Sequence, residues 1–114
     1  MEAVVGLERA RQWEAAVEAY GTAHERWPAS LGALLGLGNS RYALGDLAGD
    51  EWAFRSAARA HPAAPVAFNN LAHVLAEMGR REEALAAARQ AVTLGGPLAD
   101  IYRATLADLQ GEQE

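Results

Sequence analysis

Few side chains in this sequence could do chemistry, and they are scattered. His24, His61 and His73 fall in three different helical stretches, without the close spacing that metal ligands need. There is no cysteine, so thiolate catalysis and disulfides are out, while the redox compartment stays open. No G-x-S-x-G, H-E-x-x-H or phosphate-loop pattern occurs. Gly36 and Gly38 form a G-x-G, but inside a helical run with no strand ahead of it, so it is no dinucleotide fingerprint. The expectation is a protein that is not an enzyme by itself and holds no metal and no cofactor. What remains is recognition chemistry: the amides Asn39 and Asn70, which donate and accept hydrogen bonds at once.

The elements that must position such groups follow from spacing. Pro28, Pro62 and Gly96 stand 34 residues apart, as do Ala23, Ala57 and Ala91, and Leu34, Phe68 and Tyr102. Leu7, Arg41, Leu75 and Leu109 carry the period through the whole chain. A fixed period of this size marks a repeat architecture. Within each period apolar residues recur at three- and four-residue steps, as in Leu71, Val74, Leu75 and Met78, and strand alternation is absent. Gly45-Asp46 and Gly79-Arg80 break each repeat in two, and Pro28, Pro62, Pro65 and Gly95-Gly96-Pro97 separate the repeats. Ser30 and Asp46 suit N-caps, and Pro65 suits a first helical position. The spacing predicts seven helices, at residues 3–10, 12–26, 30–44, 47–60, 65–78, 81–94 and 98–110. Short connections make neighbours antiparallel.

Composition agrees with thin, closely packed helices. Hydrophobic residues reach 51 %, but alanine supplies many of them and aromatics only 7 %, which disfavours a bulky-cored sandwich. The formal net charge of −5, with no basic cluster, argues against nucleic acid as a partner. No apolar stretch approaches the ~20 residues of a transmembrane helix. The first residues lack the pattern of a signal peptide. A cytoplasmic location is expected if the chain is full length, and a periplasmic or secreted one if it is cut from a longer parent.

These residues resemble the tetratricopeptide repeat (TPR), W-x2-L-G-x2-Y, then A-x3-F, then P. The second repeat reads Leu34-x2-Leu37-Gly38-x2-Arg41, Asp50-x3-Phe54, Ala57 and Pro62, and the third Phe68-x2-Leu71-Ala72-x2-Leu75, Ala84-x3-Ala88 and Ala91. The first keeps Ala16-x3-Tyr20, Ala23 and Pro28, and the last helix reads Tyr102-x2-Thr105-Leu106-x2-Leu109. The resemblance implies an all-α TPR-type solenoid of antiparallel hairpins, forming one domain over residues 1–114. Its parts are an abbreviated first repeat (1–29), a second (30–64), a third (65–98), a capping helix (99–110) and a frayed tail (111–114). Two residues depart from the pattern. Arg41 replaces an aromatic, with Tyr42 beside it to take over the packing. Asp50 stands where a small apolar residue belongs, and either it is buried between helices or it caps a helix that starts late, at Glu51.

The resemblance also implies a function. Such stacks curve, and the first helix of each hairpin lines a concave face that holds an extended or helical peptide. That face would present Leu35, Asn39 and Tyr42, then Asn69, Asn70, His73 and Glu77, then Arg103. Asn39 and Asn70 match the places where peptide-clamping members hold ligand backbone, although asparagine is also simply common there. Leu35 occupies the place of the clamp lysine and Arg103 is offset by one residue, which puts a strict carboxylate clamp in doubt. His73 and Arg103 point to a partner with an acidic stretch. Gly32 and Gly36, one turn apart, would either admit a ligand backbone or reflect drift. A further resemblance rests on residues 31–47, 68–88 and Gly95-Gly96-Pro97. These look like the C-terminal repeat module of a bacterial family of secreted papain-like cysteine peptidases related to bacteriocin-processing enzymes. It implies the alternative of a non-catalytic module that self-associates as a homo-oligomer or packs on its parent enzyme.

Overall fold

The computed structural model describes residues 2–111, with side chains from residue 9 onward. Six α-helices and no strand make up the described residues: α1 (Glu2–Arg26), α2 (Leu31–Ala43), α3 (Leu47–Ala60), α4 (Pro65–Glu77), α5 (Arg81–Leu94) and α6 (Ala99–Gly111). Six replaces the expected seven because residues 3–10 and 12–26 form one continuous helix. Ala10-Arg11-Gln12 offers no glycine, proline or capping residue at the expected break, and all three are good helix formers. Gly111 still belongs to α6, and the rest of the expected frayed tail lies outside the described residues.

The other helix ends fall where local chemistry puts them. Ser30 caps α2, its hydroxyl oxygen accepting from the Ala33 N–H at 3.2 Å. Asp46 caps α3 by accepting from the Gly49 N–H at 2.9 Å. Pro65 opens α4, where its missing N–H needs no partner. Gly45 and Gly79 adopt φ of +80° and +77°, the left-handed conformation that lets the chain reverse between paired helices. Each turn closes with bonds from beyond the glycine back into the helix, Asp46 N–H to Arg41 C=O and Arg80 N–H to Leu75 C=O, both at 2.9 Å.

Helices α2 and α3 pair, as do α4 and α5, and each pair packs on the next, with α6 closing against α5 and touching α4. A radius of gyration of 14.8 Å exceeds the ~13 Å expected of a compact chain this long, as a stack requires. The core runs between hairpins: Phe54, Leu71, Val74, Leu75, Leu85 and Leu109 form one cluster, and Leu34, Ala57, Ala58 and Ala67 another. Small residues set the helix spacing. A Cβ on Gly38 would lie 2.5 Å from the Phe54 ring, so only glycine lets that ring reach the α2 backbone. A Cβ on Gly36 would meet the Tyr20 ring at 2.3 Å. Gly36 therefore serves the packing of α1 on α2, not the approach of a ligand.

Candidate functional site

Helices α2, α4 and α6 line one side of the stack, and between them opens a cleft of about 520 Å³. Asn39 and Tyr42 of α2 form one wall. Asn70, His73, Ala76 and Glu77 of α4, at helical three- and four-residue steps, form the middle. Thr105, Asp108 and Leu109 of α6 form the far wall, and Asp50 and Phe54 reach in from α3. Tyr42 donates its hydroxyl proton to Glu77, tying α2 to α4 across the cleft. The His73 ring nitrogen Nε2 lies 3.5 Å from the Thr105 hydroxyl, tying α4 to α6.

Of the eight residues expected on this face, Asn39, Tyr42, Asn70, His73 and Glu77 line the cleft. Leu35 is half-buried and packs on both core clusters. Asn69, one repeat after Leu35, occupies the equivalent place and is buried rather than displayed. Arg103 does not line the cleft: it is exposed and paired with Asp100 one turn earlier. With Tyr102 turned into the core, the next residue faces away from it by about 100°. The spacing missed Asp50, Phe54, Ala76, Thr105, Asp108 and Leu109. Asp108 of the last helix lines the cleft rather than lying on the outer surface of the stack. For Asp50 the signal was present, as a break in the repeat pattern.

Asp50 decides the electrostatics. It is not a cap, because Asp46 holds that role and α3 begins at Leu47. It lies one turn inside the helix, 0 % exposed, and neither carboxylate oxygen has a hydrogen-bond partner. Burial, with further contributions from Glu77 and Asp46, pushes its pKa up to about 7. The next residue is the opposite case. Glu51 is also desolvated, but hydrogen bonds from Arg55 (2.8 Å) and Arg80 (2.7 Å) on the outer side of the stack hold it below the usual carboxylate range. The hydrogen bond to Glu77, then its charge, raises the Tyr42 phenol above its ordinary value. Asp50, Glu77 and Asp108 thus give the cleft three carboxyl groups and no arginine. An acidic partner was expected from His73 and Arg103, and of those two only His73 is in the cleft.

The fold has solved counterparts. The type III secretion chaperone SycD of Yersinia enterocolitica, in complex with a peptide of the translocator YopD, matches with a TM-score of 0.81 and 18 % identity over 97 % of this chain and 91 % of that one. PcrH, in complex with the chaperone binding region of PopD, matches at 0.83 and 19 % identity, over 98 % and 90 % of the two chains. A type III secretion complex from Aeromonas hydrophila matches at 0.83 and 20 % identity, over 97 % and 79 %. At this identity the likeness establishes a shared all-helical, TPR-like fold. No family model and no curated protein matches the chain. Nothing in these comparisons supports the likeness to a peptidase module.

Proposed function

We propose that this chain is a non-catalytic scaffold that holds an extended or helical segment of a partner protein in the cleft between α2, α4 and α6. The observation that carries the reading is the convergence of Asn39 and Asn70, from successive hairpins, on one cleft with apolar walls at Phe54, Ala76 and Leu109. Amides can bond the backbone of a segment whatever its sequence, while the apolar walls take side chains. The two fold neighbours whose structures include a segment of a partner protein, SycD with a peptide of YopD and PcrH with a region of PopD, support the same reading.

Selection of a random-peptide display library on the protein tests it. Peptides should be enriched, and replacing both Asn39 and Asn70 with Ala should weaken them about tenfold or more, at ~1 kcal/mol per lost hydrogen bond. Helicity by circular dichroism should be unchanged. Trp52→Ala, outside the cleft, should leave binding intact. Failure to enrich any peptide, or peptides that ignore the double change and depend on Trp52, would refute the reading.

A further inference from the structure

The least economical feature of the molecule is Asp50. At the equivalent place one repeat later the chain has Ala84, wholly buried in the apolar core. A carboxylate with both oxygens buried and unpartnered is costly, and alanine would remove the cost without disturbing the pattern. Asp50 nevertheless forms part of the lining of the cleft.

We propose that the floor of the cleft is a subsite for the cationic head of a lysine or arginine side chain supplied by the bound segment. The proposal rests on the peptide-binding reading and names the chemistry of what enters. Asp50 offers two acceptor oxygens with no partner among the described residues. Glu77, which accepts from Tyr42, and Asp108 add charge of the same sign. The amide oxygens of Asn39 and Asn70 and the Thr105 hydroxyl supply neutral acceptors around it. Phe54, Ala76 and Leu109 form an apolar wall along which an aliphatic stem can lie. Tyr42 and Glu77 sit in the last turns of α2 and α4, where the helix ends add partial negative charge.

Among the described residues no group fills the place. Arg41 donates to the Gly49 carbonyl oxygen at 3.2 Å and lies over the Trp52 ring. Arg81 donates to the Leu109 carbonyl oxygen, and Arg103 pairs with Asp100. Among the described residues no three acidic or histidine side chains converge tightly enough to hold a metal ion, which favours a spread organic cation over a divalent one.

The test uses three small probes at constant ionic strength: the N-acetyl methylamides of lysine, arginine and norleucine. Binding is followed by NMR shifts of the Asn39, Asn70 and Thr105 signals. The lysine and arginine probes should saturate these shifts, and the uncharged norleucine probe should not. Asp50→Asn keeps the size and removes the charge, so it should weaken both cationic probes about tenfold or more while norleucine is unaffected. Saturation with the arginine probe should also lower the pH at which the Asp50 carboxyl titrates, which a purely structural role would not do. Absence of saturable shifts from both cations, equal response to norleucine, or undiminished binding in Asp50→Asn each overturns the subsite. Ammonium chloride reproducing the shifts at equal concentration would overturn it too, by showing a site for any small cation. The two readings fail separately: peptides that select without a basic residue leave the groove reading standing and remove this one. Probes that bind where no peptide does leave the subsite standing alone.

Discussion

The two complete hairpins, α2–α3 and α4–α5, follow one 34-residue template and resolve it differently. In α4–α5 the contact between paired helices is made by alanines: Ala72, Ala84 and Ala88 are all 0 % exposed. In α2–α3 the same three places hold Gly38, Asp50 and Phe54. There a large ring presses on a bare backbone, and a buried ionisable group lies beside it at the lining of the cleft. The caps differ as well, with Ser30 and Asp46 in one hairpin against Ala64 and Arg80 in the other. One hairpin is built for packing. The other accepts a less stable interior in exchange for a charged, shaped wall. A stack permits that division, because each hairpin is stabilised mainly by its immediate neighbours.

The strongest way to break the comparison is to impose the defect on the dry hairpin. Ala84→Asp should destabilise the protein by about 4 kcal/mol or more, since Ala84 belongs to the apolar core and the cleft lining does not include it. Urea denaturation measures this. A cost near zero would mean that the template position tolerates a carboxylate anywhere, and that Asp50 is nothing special.

The reverse change should help. Asp50→Ala should stabilise the protein by about 2–3 kcal/mol at pH 8. The gain has a pH signature. The unfolded carboxyl titrates near 3.9, whereas the folded one is pushed up to about 7. Between those values the folded state keeps a proton that the unfolded state has lost, so the parent protein loses stability as pH rises from about 4 through 7. Below that window the carboxyl is neutral in both states and carries no penalty of this kind; above it the penalty is complete. The advantage of the alanine variant in melting temperature should therefore grow from pH 4 to pH 8. A constant advantage across that range would show that ionisation of Asp50 is not its source.

The glycine–aromatic contact sharpens the comparison further. Gly38→Ala should cost about 1–2 kcal/mol, because the new Cβ would overlap the Phe54 ring. Combining it with Phe54→Leu should return part of that loss, since a leucine side chain can yield where the ring cannot. If the double variant is as unstable as the sum of the two single ones, the two residues are not the coupled pair the geometry makes them.

Much of this was legible in the sequence. The period, the glycine turns, Ser30 and Asp46 as caps and Pro65 at a helix start are local signals, and local chemistry decided them. The stack then carries one hairpin onto the next, so Asn39 and Asn70 could be placed on one face from spacing alone. Only the opening half of the repeat pattern falls in α6, which gives its rotation fewer signals, and there Arg103 was chosen while Thr105 and Asp108 were passed over. The long α1 went unseen because the repeat pattern implied a turn that Ala10-Arg11-Gln12 has no residue to make. Asp50 was conspicuous as a misfit. Whether it capped or was buried turned on a helix start fixed by Asp46, four residues away.

The smallest expected effect concerns the caps, and it separates the hairpins by local bonding alone. Ser30 and Ala64 precede equivalent first helices, and both have extended backbone, φ −67°, ψ 116° and φ −96°, ψ 101°. That is the conformation from which a short hydroxyl side chain reaches the third N–H of the helix. Ser30 makes that bond to Ala33. Ala64 has no side-chain acceptor, and the Ala67 N–H reaches only the Ala64 carbonyl oxygen at 3.2 Å. Ser30→Ala should therefore cost about 1 kcal/mol, and Ala64→Ser should gain about 0.5–1 kcal/mol. Amide exchange localises the effect: Ala33 should lose protection in the first variant and Ala67 should gain it in the second. Pro65 already fixes the first residue of α4, so the gain there should be the smaller of the two. Equal and opposite changes would mean that the proline contributes nothing to starting α4. No change in either variant would mean that the packing of the stack, not the caps, sets where these helices begin.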